Sequence, residues 1–312
     1  MKKILITGGM GFVGGRLAKR LAENNELYLS SRKIPDKNKL RLFGNVTPVD
    51  HQSLLHPDKF PEVDTVIHLA ALNEWDSVKF PSEAIRVNVD ETRIILENSI
   101  GRNVKQFIFF STAHIYGAPL IGKVTESNLP RPAHPYAITH RSAEDYVIAA
   151  SLQNRINGIV LRLSNSFGAP VSADVNRWTL LANDLCRQAV ENGRMKLLSN
   201  GCQYRDFICL SDVEDVLDSM IERKLPLKHL IYNLGSGLAV RVIDMARIIE
   251  QLCVTVLKKN VPVELPANAK ETEEEKLEFS IDRLLSDGFS IRNDIHLELE
   301  RLLQFCSEHF AN

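Results

Sequence analysis

The stretch K-K-I-L-I-T-G-G-M-G-F-V-G runs from Lys2 to Gly14. Ile4-Leu5-Ile6 has the length and β-branching of a short buried strand. Val13, Leu17 and Leu21 then recur every four residues, along one face of a helix. Gly9-x-Gly11-x-x-Gly14 lies between the two, in the setting that a dinucleotide fingerprint requires. Glycine serves three ends here: a sharp turn, close approach of backbone to a pyrophosphate, and close packing of helix on strand. Phosphates then meet the free N–H groups and positive dipole end of the helix. The competing reading is a tight turn in an α/β protein that binds nothing. The complete strand–glycine–helix context favours a cofactor.

Composition narrows the field. A chain of 312 residues suits one large domain or two intimate ones, and 44% apolar content supplies an ordinary globular core. A net charge of −1 gives no electrostatic case for nucleic acid or an anionic membrane. Only three apolar residues follow Met1-Lys2-Lys3 before Thr7, so the expectation is a cytoplasmic protein without signal peptide or span. Five cysteines (186, 202, 209, 253 and 306) form no C-x-x-C and read as reduced thiols. The histidines show no H-E-x-x-H spacing, and no metal site is expected.

Working outward from the glycines, strands alternate with helices. Glu26–Leu29 reads as the second strand, 45–50 as the third and 64–71 as the fourth. His68 lies inside that fourth strand and reads as a core residue. A helix is expected over 82–99, an uninterrupted strand at Phe107-Ile108-Phe109-Phe110, a helix over 136–151 and a sixth strand at 158–163. This rhythm predicts a doubly wound, Rossmann-like parallel sheet. Residues 1–168 form the expected dinucleotide-binding domain, with segments near 210–235 returning to it. Residues 169–312 form most of a smaller α/β substrate-binding domain. Helices are expected there at 178–192, 213–223 and 242–252, and 270–276 reads as a charged loop or helix start. The second strand ends in Ser30-Ser31-Arg32-Lys33, without the acid that takes an NAD ribose. Arg32 therefore points to NADP, or else to a solvated basic loop.

Thr112 and Tyr136 stand out as candidates for chemistry. Both fall where the C-terminal ends of the strands would meet a nicotinamide, and a phenol can exchange a proton with a substrate hydroxyl during hydride transfer. Here the chain resembles the extended short-chain dehydrogenase/reductase family, in its nucleotide-sugar epimerase/dehydratase branch. Thr7-Gly8-x-x-Gly11-x-x-Gly14 is similar to its T-G-x-x-G-x-x-G. His68-Leu69-Ala70-Ala71, Ser77-Val78 with Pro81, and Val87-Asn88-Val89 are similar to the signatures that follow. Ser111-Thr112-Ala113-His114-Ile115-Tyr116-Gly117 resembles S-[ST]-x-x-V-Y-G; Arg162 with Asn165, and Arg205-Asp206-Phe207, match the later motifs.

The resemblance implies an NAD- or NADP-dependent enzyme on a sugar nucleotide, and a homodimer built on helices near 83–99 and 136–151. Tyr146, Val147 and Ala150 are the expected apolar contacts of that interface. Thr112, Tyr136 and His140 would be catalytic. Gly8, Gly11, Phe12, Val13, Gly14, Arg32, Asp50, Leu69, Ala70 and Ala71, with Tyr136 and His140, would hold the dinucleotide. Asn73, Thr112, Asn165 and Arg205 would hold the substrate.

One residue departs from the pattern. The family expects Tyr-x-x-x-Lys, and this chain carries Tyr136-Ala137-Ile138-Thr139-His140. The lysine's charge lowers the tyrosine pKa; a histidine keeps the spacing and a hydrogen bond, not a fixed charge. Two functions therefore stay open: a hydride-transferring oxidoreductase or epimerase, and a catalytically altered binder serving as sensor or assembly partner. Dehydration is disfavoured, because Ala113-His114 lacks the carboxylates of the dehydratase-like S-T-D-E-V-Y-G. His114 reads either as an additional base or as a side chain turned away.

Overall fold

A computed structural model describes residues 1–34, 36–223, 226–267 and 274–311. Seven strands form one sheet: β1 (Lys3–Thr7), β2 (Glu26–Ser31), β3 (Val46–Asp50), β4 (Thr65–His68), β5 (Gln106–Thr112), β6 (Asn157–Leu163) and β7 (Ile231–Leu234). Their order is β7-β6-β5-β4-β1-β2-β3, and every neighbouring pair is parallel. The chain leaves β1 toward β2 on one side and returns to β4 on the other. That reversal opens a crevice at the strand C-termini, where open α/β sheets bind ligands.

Side-chain alternation explains the uninterrupted apolar strands. Ile108 and Phe110 pack on one face with Leu17 and Leu21 of α1 (Phe12–Leu21). Phe107 and Phe109 pack on the other with Ala143 and Val147 of α4 (Pro135–Leu152). Val147 and Ala150 are thus spent inside the chain, because they face the sheet; of the three expected interface residues only Tyr146 is exposed. The helix expected over 82–99 is interrupted. Pro81–Ile85 and α3 (Thr92–Gly101) are joined by one wider, π-type turn at Arg86–Glu91, which turns Asn88 and Glu91 inward.

A second core lies between α5 (Leu181–Asn192), α7 (Val242–Val256) and α8 (Ile295–Phe310), with Leu185, Met245 and Leu302 at its centre. Helix α5 starts three residues later than expected, since Trp178 instead packs edge-on to Phe310 at 4.8 Å and donates from Nε1 to Ala173 O. A small sheet of Asn165–Phe167, Tyr204–Cys209 and Ala239–Arg241 carries the chain from β6 toward this core. Arg16 of α1 joins the two cores, 2.6 Å from Glu214 on α6 (Leu210–Glu222) and 2.9 Å from Glu298 on α8. Residues 270–273 of the expected charged loop lie outside the described residues, and 274–276 are irregular. Among the described residues no helix is long and apolar enough to cross a membrane.

Candidate active site

The crevice is a cleft of about 560 Å³. Its first wall is the glycine loop. Gly8 has φ +65°, and a Cβ there would meet the Leu69–Ala70 backbone at 3.1 Å. A Cβ on Gly14 would stand 2.3 Å from Gly8 O, so helix and loop could not close. Gly11 differs: its backbone is extended (φ −79°, ψ −172°), and a Cβ would meet only Gly8 O, at 3.2 Å. Gly11 starts α1 without a side-chain cap, leaving the first helical N–H groups for a ligand. Gly8, Gly11, Phe12, Val13, Gly14, Leu69, Ala70 and Ala71 all line the cleft. So does Ser111, whose buried Oγ has no hydrogen-bond partner among the described residues. An uncapped helix start and an orphaned hydroxyl fit a dinucleotide.

The loop after β4 is held by a resolved proton chain. Thr7 Oγ1 accepts from Leu69 N (3.1 Å) and Ala70 N (3.2 Å), so its own hydrogen goes to His68 Nδ1 at 2.8 Å. His68 Nε2–H donates to Thr92 Oγ1 at 2.9 Å, and Thr92 passes its hydrogen to Asn88 O at 2.8 Å. Burial pushes His68 down to about 3, with His51 and His140 adding to it, so it stays neutral. His68 is a structural residue, as expected.

The end of the cleft beside β2 is polar. Ser31 and Arg32 line it, as do His51 and Gln52. Asp50 does not: it is exposed, and its carboxylate accepts from Gln52 N at 3.3 Å. The expected acid of β2 is absent, yet the π-type turn brings in Glu91, and Glu83 and Arg86 also line this end. Arg86 grips Glu83 through two bonds (2.8 and 2.5 Å) and Glu91 through a third (2.5 Å). The other Glu91 oxygen lies 2.9 Å from His51 Nε2.

Thr112, Tyr136 and His140 meet at the opposite end. Tyr136 and His140, one turn apart on α4, have ring centroids 4.1 Å apart. His140 Nδ1 lies 2.9 Å from Tyr136 O, a carbonyl that can only accept; Nδ1 therefore carries the hydrogen and Nε2 the lone pair. Burial holds this imidazole down at about 4, with Arg177, His114 and His134 adding and the Tyr136 carbonyl opposing. Burial likewise pushes the Tyr136 phenol up to about 12; Arg177 and the Thr112 hydroxyl oppose this, and Glu74 adds to it. At neutral pH the phenol is a donor beside an uncharged imidazole.

Sequence reasoning left His114 undecided and did not single out Glu74, Ser111 or Arg177. His114 lines the cleft, with Nε2 3.3 Å from Glu74 Oε1 at the start of α2 (Glu74–Lys79). Its ring stands edge-on to Tyr136 at 6.5 Å and to His134 at 5.4 Å. Arg177 lines the same end. Asn73 caps α2 through Asp76 N (2.9 Å), and Asn165 donates to Asp206 O (2.8 Å); both line the cleft. Arg205 does not line it; it is half-buried and near enough to Glu74 for the two charges to interact. The glycine spacing and the Tyr–His register were read as local pattern; apart from the Asn73 cap, the other contacts join distant segments.

Two buried anchors hold this end. Arg162 of β6 clasps Glu144 of α4 through bonds of 3.0 and 2.8 Å, and also donates to Tyr116 Oη at 2.9 Å. Asn88 accepts from Leu72 N (2.7 Å) and donates to Thr139 Oγ1 (3.0 Å), tying the loop after β4 to α4.

Comparison with known proteins bears on the family and the fold. The signature of the NAD dependent epimerase/dehydratase family matches residues 4–235. A putative UDP-glucose 4-epimerase of Methanocaldococcus jannaschii is 29% identical over 256 residues, covering 79% of this chain and 81% of the relative. Human dTDP-D-glucose 4,6-dehydratase is 25% identical over 268 residues, covering 80% and 74%. The structure of UDP-glucuronic acid 4-epimerase from Bacillus cereus, in complex with UDP-glucuronic acid and NAD, superposes with a TM-score of 0.79. Its sequence is 23% identical, and 98% of this chain and 99% of that one are covered.

Proposed function

The chain belongs to the NAD dependent epimerase/dehydratase family, and on that premise we propose that it acts on a sugar nucleotide by hydride transfer at one ring carbon, with Tyr136 as the acid–base group. The observation that supports this reading is the convergence of Thr112, Tyr136 and His140 at one end of a cleft whose other wall is an uncapped glycine helix start. Bound NAD supplies the hydride acceptor and donor. In the oxidation direction the Tyr136 phenolate takes the hydroxyl proton, while Thr112 donates to the same oxygen. In the reduction direction the neutral phenol returns that proton. The His140 Nε2 lone pair accepts from a ribose hydroxyl, where a lysine would donate. Ser111 Oγ, Asn73 and Asn165 hold polar groups of the ligands.

A catalytically altered binder is the second reading, and the uncharged His140 is what favours it. Retention of Thr112 beside Tyr136 weighs against it. Mixing the NAD-loaded protein with UDP-glucose or UDP-glucuronate and following nicotinamide absorbance decides between them. A signal in the parent that Tyr136→Phe abolishes is expected; no signal with either sugar overturns the enzyme reading.

We further read residues 1–168, with the segment near 210–235, as the cofactor-binding unit and most of 169–312 as the substrate side. The family resemblance also suggests a homodimer. Exposed Ile85 (55%), Ile138 (48%) and Tyr146 (45%), on the 81–85 helix and α4, support such pairing. A sedimentation mass of twice 35.2 kDa is expected at micromolar concentration; the single-chain mass would count against the dimer.

A further inference from the structure

Tyr136 and His140 share one end of the cleft, and neither carries charge at neutral pH. Burial raises the phenol, and a nearby positive charge is what brings its ionised form back within reach. Several segments face the pair. Thr112 ends β5, and His114 follows it with its ring edge-on to Tyr136. His134, at the head of α4, stacks on Tyr136 at 6.1 Å. His68 of β4 acts on His140 and is neutral. Glu74 of α2 works against the phenolate, but it is itself faced by His114 at 3.3 Å and by Arg205. Of all these charges Arg177 acts most strongly on both rings. It does so in one sense, favouring phenolate and disfavouring imidazolium.

Arg177 comes from the segment between Phe167 and α5, and that segment is anchored on both sides of it. Val171 packs on the first core, beside Gly15 of α1. Asp174 meets Lys39 at 2.9 Å. Trp178 enters the second core against Phe310, and its Nε1 donates to Ala173 O at 3.0 Å. Leu180 N donates to Arg177 O at 3.3 Å and closes a turn. With Trp178 committed to the second core, the adjacent Arg177 lines the cleft together with Asn176 and Leu180. It is half-buried there, and its side chain makes no hydrogen bond or ion pair among the described residues. An unpaired guanidinium partly withdrawn from water acts with little screening on the groups that share its cleft.

We infer that Arg177 is a positioning residue for the Tyr136–His140 pair: from a segment remote from α4 it supplies the fixed positive charge that favours loss of the phenol proton and keeps the imidazole neutral. The inference rests on the acid–base reading of Tyr136 given above. Two variants test it. Arg177→Gln removes the charge, and Arg177→Lys keeps it. The first measurement needs no substrate. An NMR titration of the histidine Cε1–H signals follows His140, assigned by the loss of its signal in His140→Asn. The parent midpoint is about 4; Arg177→Gln should raise it by about one unit, and Arg177→Lys should stay with the parent. The second measurement is the pH profile of sugar-nucleotide oxidation by the NAD-loaded protein. In Arg177→Gln the rise of kcat should move to higher pH by about one unit, with KM within a few fold, and Arg177→Lys should restore it. Arg177 gives up no hydrogen bond, so a melting temperature near that of the parent is expected and checks folding. An unmoved His140 midpoint overturns the inference, whatever the activity. So does a raised KM with the kcat profile in place, which would make Arg177 a ligand of a substrate anion. A lowered melting temperature with both titrations unmoved would make it a structural residue and also overturn the inference. If no sugar nucleotide is turned over, the enzyme reading falls, and the histidine titration still decides whether Arg177 sets the charge state of the pair.

Discussion

The glycine wall and the tyrosine end of the cleft are built on opposite principles. In the first, the relay behind the loop is fully accounted for, from Leu69 N through Thr7, His68 and Thr92 to Asn88 O, and only the first N–H groups of α1 stay open. Fit there is steric and preset. In the second, Ser111 Oγ is orphaned, and neither the Nε2 of His140 nor the guanidinium of Arg177 meets a hydrogen-bond partner among the described residues. Chemistry is left where polar groups are under-used, and rigidity where they are saturated. Buried anchors such as Arg162–Glu144 connect the two regimes by fixing α4 without entering the cleft.

The largest expected effect separates chemistry from binding. Tyr136→Phe should lower turnover by about a hundredfold or more and leave NAD affinity within a few fold, since the ring still packs against His140. Stopped-flow absorbance and a binding titration check the two halves. Parental turnover in this variant would break the distinction between the two ends.

Gly11→Val and Gly14→Ala then sharpen the steric side. A valine at Gly11 adopts the extended backbone already present and projects where a cofactor phosphate must approach. Cofactor binding should fall by at least about a hundredfold, a loss of roughly 3 kcal/mol, with the melting temperature near that of the parent. Gly14→Ala should instead lower the melting temperature, because its Cβ would lie 2.3 Å from Gly8 O. Reversal of these outcomes would mean that the loop is a structural turn only.

Acid titration compares the regions through their buried histidines. His68 and His140 have folded pKa values of about 3 and about 4, below the ordinary 6.5. Between those values and 6.5 the unfolded chain binds more protons, so stability falls as pH falls. By pH 5 each histidine should have cost about 2 kcal/mol relative to neutral pH. Urea melts from pH 7 to pH 5 measure this; a flat profile would mean that neither ring is held neutral by burial.

The smallest effect is a shift of profile. Phenolate Tyr136 is needed for oxidation, and a phenol held near 12 delays that form, so oxidation should gain rate as pH rises above neutral. His140→Lys would add a cation one turn from the phenol and move the oxidation limb to lower pH by about one unit or more. An unmoved limb would leave His140 as a hydrogen-bond acceptor with no electrostatic role.

The central strands β1, β4, β5 and β6 were legible because each is a short apolar run buried on both faces, and the parallel arrangement of the sheet followed from the alternation with helices. The Tyr136–His140 pairing was legible because residues four apart share a helix face. The interruption at Arg86–Glu91 escaped the reading, since a single wider turn leaves the apolar spacing nearly intact. Val147 and Ala150 were misplaced for a related reason: periodicity marks an apolar face without saying whether a sheet or a second copy covers it. Asp50 was read as a ligand contact by resemblance, whereas its carboxylate turns back to cap Gln52.

By itself, then, the sequence determined whatever is governed over a few residues: the glycine turn, the helix start that can meet phosphate, and the departure from lysine at His140. The tertiary structure alone decided what depends on charges brought together across the fold. It paired His114 with Glu74, set Glu83 and Glu91 around the rim that Arg32 shares, and sealed His140 into an uncharged state. The physical reason is one of range. Backbone geometry is set by near neighbours, while protonation and electrostatic selectivity depend on burial and on partners that only folding supplies.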